Sequence, residues 1–256
     1  GRMGAMVGGN GPYARFGHIL SPFSCGWGNV GGHLQVMALG YEYVDNALAW
    51  ASPKFAGFDA TLQYSNGTDA KNFGTGVEGK SSVERMYAGA LRYTHNDLMV
   101  IGGIERINYA QPSANDLGRK DAISYNLGGS YQAGWAKFYA YGQYFQNYTA
   151  AARTTTFALP SGVDGWGANV GVDVPVSHGF IKAGLGYGDF KGSKDSDRTM
   201  KTWQAAVGYL LPLSKRTSLY TAANYINSRY SDAQEAANPK AGKQVIDVIA
   251  GLMHKF

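Results

Sequence analysis

An all-β chain, folded as an antiparallel β-barrel that crosses a membrane, is the fold class this sequence predicts, and three observations carry the prediction. Apolar residues recur at every second position from about residue 46 to the end, with almost no helical periodicity. The connections between these alternating runs are short and long by turns. The chain holds 36 Gly and 18 Tyr with only 16% charged residues, a mix suited to a face of small and aromatic groups, and no run of eighteen apolar residues offers a membrane helix.

Taken in order, about eleven strands are expected, near 46–52, 58–66, 84–94, 98–108, 121–132, 135–147, 165–176, 180–190, 199–211, 217–229 and 244–256. Most approach the ~9 to 11 residues that a tilted strand needs to span a bilayer. In "DAISYNLGGSYQ", Ile123, Tyr125, Leu127 and Tyr131 share one face, while Ser124, Asn126, Ser130 and Gln132 share the other. "WGANVGVDV" sets Trp166, Ala168, Val170, Val172 and Val174 against Gly167, Asn169, Gly171 and Asp173. "KTWQAAVGYLL" repeats the pattern with Trp203, Ala205, Val207, Tyr209 and Leu211 on its apolar side.

"SPKFAGF", "THND", "QAG", "PVSHG" and "LPLSK" are tight connections, whereas 67–83, 109–120, 148–164, 191–198 and 230–243 are long and polar. One end of the sheet therefore carries turns and the other loops, the asymmetry of outer-membrane barrels. A soluble sandwich also alternates, but its apolar face favours bulky aliphatic residues that fill a core. Here that face carries Ala and Gly, with Tyr or Trp near the strand ends, including Tyr64, Tyr87, Tyr93, Tyr125, Tyr131, Trp166, Tyr187, Trp203, Tyr209 and Tyr225. Amphipathic rings suit the headgroup level of a bilayer.

The chain closes with "VIDVIAGLMHKF": Ile246, Val248, Ala250, Leu252 and Phe256 share parity and face lipid, with His254 at the aromatic belt and Lys255 and Asp247 facing inward. A terminal Phe after such alternation resembles the signal read by barrel-assembly machinery. The net charge of +5 is scattered along the chain, with no basic stripe for nucleic acid. Cys25 is the single cysteine, which excludes a disulfide framework and a Cys-based zinc site. No signal peptide opens the chain, so either one has been removed or the natural start lies upstream.

Three stretches carry a family resemblance. "DNALAWASPKFAGF" (Asp45, Asn46, Ser52, Pro53, Phe55, Gly57, Phe58), "LSKRTSLY" (Leu213 to Tyr220) and "GLMHKF" (Gly251, Leu252, His254, Phe256) resemble, in this order and spacing, the general porins of Gram-negative bacteria in their beta-proteobacterial branch. The resemblance implies a sixteen-stranded barrel in the outer membrane of a Gram-negative bacterium, usually a homotrimer, in contact with outer-membrane lipid and lipopolysaccharide and passing small hydrophilic solutes and ions. It implies no cofactor. An odd number of strands leaves a free edge, and "GRMGAMVGG" resembles the end of the family's fifth upward strand, so this sequence reads as the C-terminal two-thirds of one barrel domain spanning 1–256.

In that family the long loop after the fifth strand folds inward, and residues 3–41 hold its place. The segment contains Arg2, Arg15, His18 and His33 and no acid before Glu42, so a constriction built from it favours anions; alternatively Arg15 lies at the loop rim or pairs with an acid outside this sequence. Strand parity adds Arg92, Lys137 and Lys182 to the lumen with Asp59, Glu105, Asp173 and Asp247. Near Tyr43, where related porins can carry an arginine, this chain has none.

An outer-membrane protease or lipase is the enzymatic alternative, and no histidine has the placed carboxylate or nucleophile it needs; Ser177 beside His178 is turn composition. "GLGYGDFKG" lacks the helix of a nucleotide loop, and "NGT" at Asn66 lies in a loop. The readings that stand beside a diffusion channel are a substrate-specific channel and a surface adhesin on a barrel scaffold.

Overall fold

The computed structural model describes residues 1–23, 27, 30, 36–38, 40–68, 84–110, 119–151, 157–239 and 241–255. Cys25, His33 and Phe256 lie outside them.

Two short strands, β1 (Met3–Gly4) and β2 (Tyr43–Val44), pair with each other. The remaining strands are β3 (Ala47–Ala51), β4 (Phe58–Ser65), β5 (Arg85–His95), β6 (Leu98–Asn108), β7 (Ala122–Ala133), β8 (Ala136–Ala150), β9 (Ala158–Val176), β10 (Gly179–Gly192), β11 (Thr199–Pro212), β12 (Thr217–Tyr230) and β13 (Gln244–His254). They form one 11-stranded sheet in which every neighbour in space is the neighbour in sequence. All pairings are antiparallel, and β3 and β13 are its two ends.

The burial pattern is inverted relative to a protein folded in water. On β7, Ser124, Asn126 and Ser130 are buried while Leu127 is 64% exposed. The outer face shows Leu62, Leu91, Leu127, Val170, Leu185, Val207 and Val248, an apolar band that only a lipid surround stabilises. Near the long-loop end, cross-strand ring pairs border it: Tyr64 with Tyr87 at 5.1 Å, Tyr125 with Tyr144 at 6.4 Å, Trp166 with Tyr187 at 5.5 Å and Trp203 with Tyr225 at 5.2 Å. Phe58 with Tyr93 at 4.6 Å and Trp135 with Phe138 at 5.4 Å sit at the short-turn end, so rings stand at both borders of the band.

Two elements depart from the expectation. Strand β9 begins at Ala158, inside the stretch 148–164 expected to be a loop. Asn147 adopts φ 59°, and the register of β8 with β9 shifts between Phe145 and Tyr148. That bulge turns Tyr148 onto the buried face beside Val163 and lengthens both strands. The second is a one-turn helix, α1 (Asp232–Ala237), within the expected loop 230–243, where the Ser231 side chain accepts from the Gln234 N–H.

At the long-loop end, Thr68 Oγ1 donates to Glu84 Oε1 at 3.2 Å. The Arg119 guanidinium lies 4.7 Å from the centre of the Tyr109 ring, and its Nε donates to Pro160 O at 3.0 Å. Glu84 and Tyr109 are both buried here.

Candidate functional site

Residues 5 to 38, as far as they are described, lie against the polar face of the sheet. The first arm reaches β4, where Gln63 is bonded at both ends of its amide: Oε1 accepts from Met6 N at 2.8 Å, and Nε2 donates to Gly4 O at 2.8 Å. The segment passes β6 to β9 with Phe16, Leu20 and Pro22, all buried. Phe16 stacks on Tyr141 of β8 with centroids 5.8 Å apart. Phe23, Trp27 and Val30 reach Ala206 of β11 and Ala222 of β12, and Trp27 lies 4.9 Å from the Tyr220 ring. On the return, Ala38 N donates to Gln143 Oε1 at 2.9 Å. These six buried side chains, of which the large apolar ones contribute about 1.5 to 3 kcal/mol each, and two glutamine clips thus fasten the segment to the wall.

Of the ionisable residues expected in this segment, Arg2 pairs with Asp45 at 3.3 Å on the exposed rim. His18 sits in a short 3-10 turn, Gly17–Ile19. Arg15 is 8% exposed, donating from Nε to Thr61 Oγ1 at 2.8 Å and from Nη1 to Pro12 O and Ala14 O at 2.7 and 2.9 Å. Burial first, and then the charge of Arg92, push its guanidinium below the usual value, with Asp59 acting in the opposite direction. The guanidinium thus faces the wall of β4 and β5.

The wall residues fall on one face and in three groups. Arg92 Nε meets Asp59 Oδ2 at 2.9 Å across β5 and β4. Lys182 Nζ meets Asp173 Oδ1 at 2.7 Å across β10 and β9, and Tyr139 OH donates to Asp173 Oδ2 at 3.0 Å, so both carboxylate oxygens are occupied. Lys182 also lies 5.9 Å from the Trp27 ring, which couples the wall pair to the segment above it. Lys137 Nζ is 5.0 Å from the Tyr139 ring. All of these stand a few residues from the short turns. Glu105 sits apart, fully buried beneath the return arm, accepting from Tyr148 OH at 2.9 Å. Asp247 shares the inner face of β13.

Sequence reasoning missed Gln63 and Gln143. A long amide side chain at each of these inner-face positions was the available signal, since an unbonded amide there is costly. Among the described residues there is no group of three or more His, Cys, Asp or Glu placed to hold a metal ion.

The profile of the Gram-negative porin family matches residues 3–231. An outer membrane porin protein of Bordetella pertussis is 26% identical over 272 aligned residues, which cover 94% of this chain and 65% of the relative. The chain therefore spans just under two thirds of that protein's length. An anion-selective porin from Comamonas acidovorans superposes with a TM-score of 0.63 at 20% identity, covering 93% of this chain and 70% of the other. OmpT of Vibrio cholerae, folded in vitro and in a trimer form, superposes with a TM-score of 0.56 at 13% identity, covering 83% of this chain and 65% of the other. At these identities the two superpositions speak to fold.

Proposed function

The chain belongs to the Gram-negative porin family and to the bacterial outer membrane, and from that premise we propose that the complete protein forms a water-filled channel for passive diffusion of small hydrophilic solutes and ions, leaning toward anions. The family points to a channel rather than to an enzyme. The observation that carries the reading is the inverted sheet: its polar face is turned inward beneath residues 5 to 38, and its apolar face is bordered by rings. A barrel of ~16 strands encloses an aqueous lumen.

The lean toward anions rests on local charge. At the short-turn end, Arg15, Arg92, Lys137 and Lys182 stand against Asp59 and Asp173, an excess of two positive charges. Lumen charge selects ions by sign, and the superposed Comamonas acidovorans protein is an anion-selective porin. A homotrimer is part of the same proposal, in line with the trimer form of OmpT. Outer-membrane lipid and lipopolysaccharide are the proposed partners of the exposed band. The outward Ile246, Val248, Ala250, Leu252 and His254 of β13, with Phe256 beyond them, are proposed to engage barrel-assembly machinery.

Reversal potential under a KCl gradient, measured on the full-length protein in a planar bilayer, tests the reading. Wild type is expected to prefer chloride, and Lys137→Glu with Arg15→Gln to weaken or reverse that preference. Inserted protein without conductance steps refutes the channel and favours the adhesin reading; steps with cation preference refute the charge assignment alone.

A further inference from the structure

The inner face of the sheet has an unusual composition where the segment crosses it. Gly103 of β6, Gly128 of β7, Gly171 of β9, Gly184 of β10 and Gly208 of β11 all point inward beneath it. None of the five adopts a positive φ, so backbone conformation does not require glycine. A glycine inside a strand costs roughly 0.5 to 1 kcal/mol relative to alanine, and close approach of another group is what makes it worth keeping.

At each seat an anchor of the segment approaches, alongside wall atoms such as Gly89 O at 2.7 Å from a Cβ on Gly103 and Ala140 O at 2.8 Å from one on Gly128. A Cβ at Gly103 meets Phe16 Cζ at 2.8 Å, one at Gly128 meets Leu20 Cδ1 at 2.5 Å, and one at Gly171 meets Pro22 Cγ at 2.7 Å. Phe23 straddles two seats, at 3.4 Å from a Cβ on Gly184 and 3.0 Å from one on Gly208. Carbon atoms rest at about 3.5 to 4.0 Å, so a methyl group at most of these seats lifts the segment by on the order of 1 Å. Two glycines with outward parity behave differently: a Cβ on Gly102 meets nothing closer than 3.8 Å, and one on Gly142 nothing closer than 3.9 Å. Outward Gly129 is tight as well, but against the wall itself, at 2.5 Å from Met99 O; close contact with the segment belongs to the inner face.

We infer that these five glycines are positioning residues: they form a lane in the wall that seats Phe16, Leu20, Pro22 and Phe23, and so fix how far the segment projects into the lumen. The bore is set from behind, by what the wall lacks. Among the segment's described residues the uncovered ones, Gly11, Pro12 and Ile19, then stand at a depth fixed by the lane. This inference rests on the channel reading above.

The test is single-channel conductance of full-length Gly208→Val and Gly171→Val, with Gly142→Ala as the outward control and heat-modifiable migration on gels as the check of assembly. The lane variants are expected to conduct about 1.5-fold less than wild type as the segment moves toward the axis, with Gly142→Ala unchanged. Phe23→Ala added to Gly208→Val should restore the conductance, because the seat and its anchor change together. If Gly208→Val does not assemble, Gly208→Ala with the same rescue carries the measurement. Assembled lane variants that conduct like wild type, or a loss that Phe23→Ala does not relieve, overturn the inference. A wild type without conductance overturns the channel reading instead.

Discussion

Replacing Glu84 with glutamine removes a pH dependence that the long-loop end of this protein is expected to show. The Glu84 side chain is 6% exposed and receives a hydrogen bond from Thr68 Oγ1 at 3.2 Å. Burial raises its carboxyl from 4.5 to about 7, opposed by the charge of Arg119 and the Ala110 N–H. The folded chain therefore keeps this proton to about pH 7, whereas the unfolded chain releases it near pH 4.5. Between those values the folded state binds more protons, so stability falls as pH rises. The contribution is fully present below pH 4.5 and gone above pH 7. At 1.36 kcal/mol per pH unit the difference is about 3 kcal/mol, or roughly a few hundred-fold in an opening equilibrium. Hydrogen exchange of peptides covering Asn66 to Thr68 and Tyr109 to Ala110 reads that opening locally. Between pH 5 and pH 8, after correction for intrinsic exchange, wild type should lose most of this protection. Glu84→Gln should stay level and match or exceed wild type at pH 8. Equal protection of wild type at both pH values, or a slope that survives in Glu84→Gln, refutes the reasoning.

Two further outcomes follow from the wall and the outer face. Lys182→Met strands Asp173, whose partner sat at 2.7 Å, and should cost about 3 kcal/mol in urea unfolding from lipid vesicles; the double variant with Asp173→Asn should recover most of it, and a single variant as stable as wild type would sink the claim that the pair matters. Leu127→Lys places a charge at an outward position that is 64% exposed to lipid and should cost about 2 to 4 kcal/mol, whereas Gln132→Lys at the inner rim should cost under about 0.5 kcal/mol.

The strands were legible because alternation and connection length are properties of neighbouring residues. The expected 98–108 is β6, and 217–229 differs from β12 by one residue. The bulge at Asn147 was not legible: it depends on Tyr148 finding Glu105 and Ser124 on strands far away in sequence, and "ALPSGVDG" reads locally as a loop. The helix α1 did leave a signal, Ser231 followed three residues later by Gln234, which a search for alternation passes over. At the site, parity gave the shared face of Arg92, Lys137, Lys182, Asp59 and Asp173, but not their pairing, because which residues meet across strands depends on register. The wall-facing bonds of Arg15 were hidden for the same reason: Thr61 lies 46 residues away.

The contacts that the described residues between 5 and 38 make with β4 to β12 constrain the order in which the molecule is made. Because each strand pairs with its sequence neighbours, successive hairpins can be laid down one beside another without threading the chain through anything already built. The segment does not share this freedom. Its seats are distributed over strands that follow it in the chain, and its far anchor needs Ala222 of β12, so its final resting place does not exist until β12 has been paired. A stretch close to the beginning of this sequence must therefore remain undocked while most of the sheet forms, and the polar face is covered last.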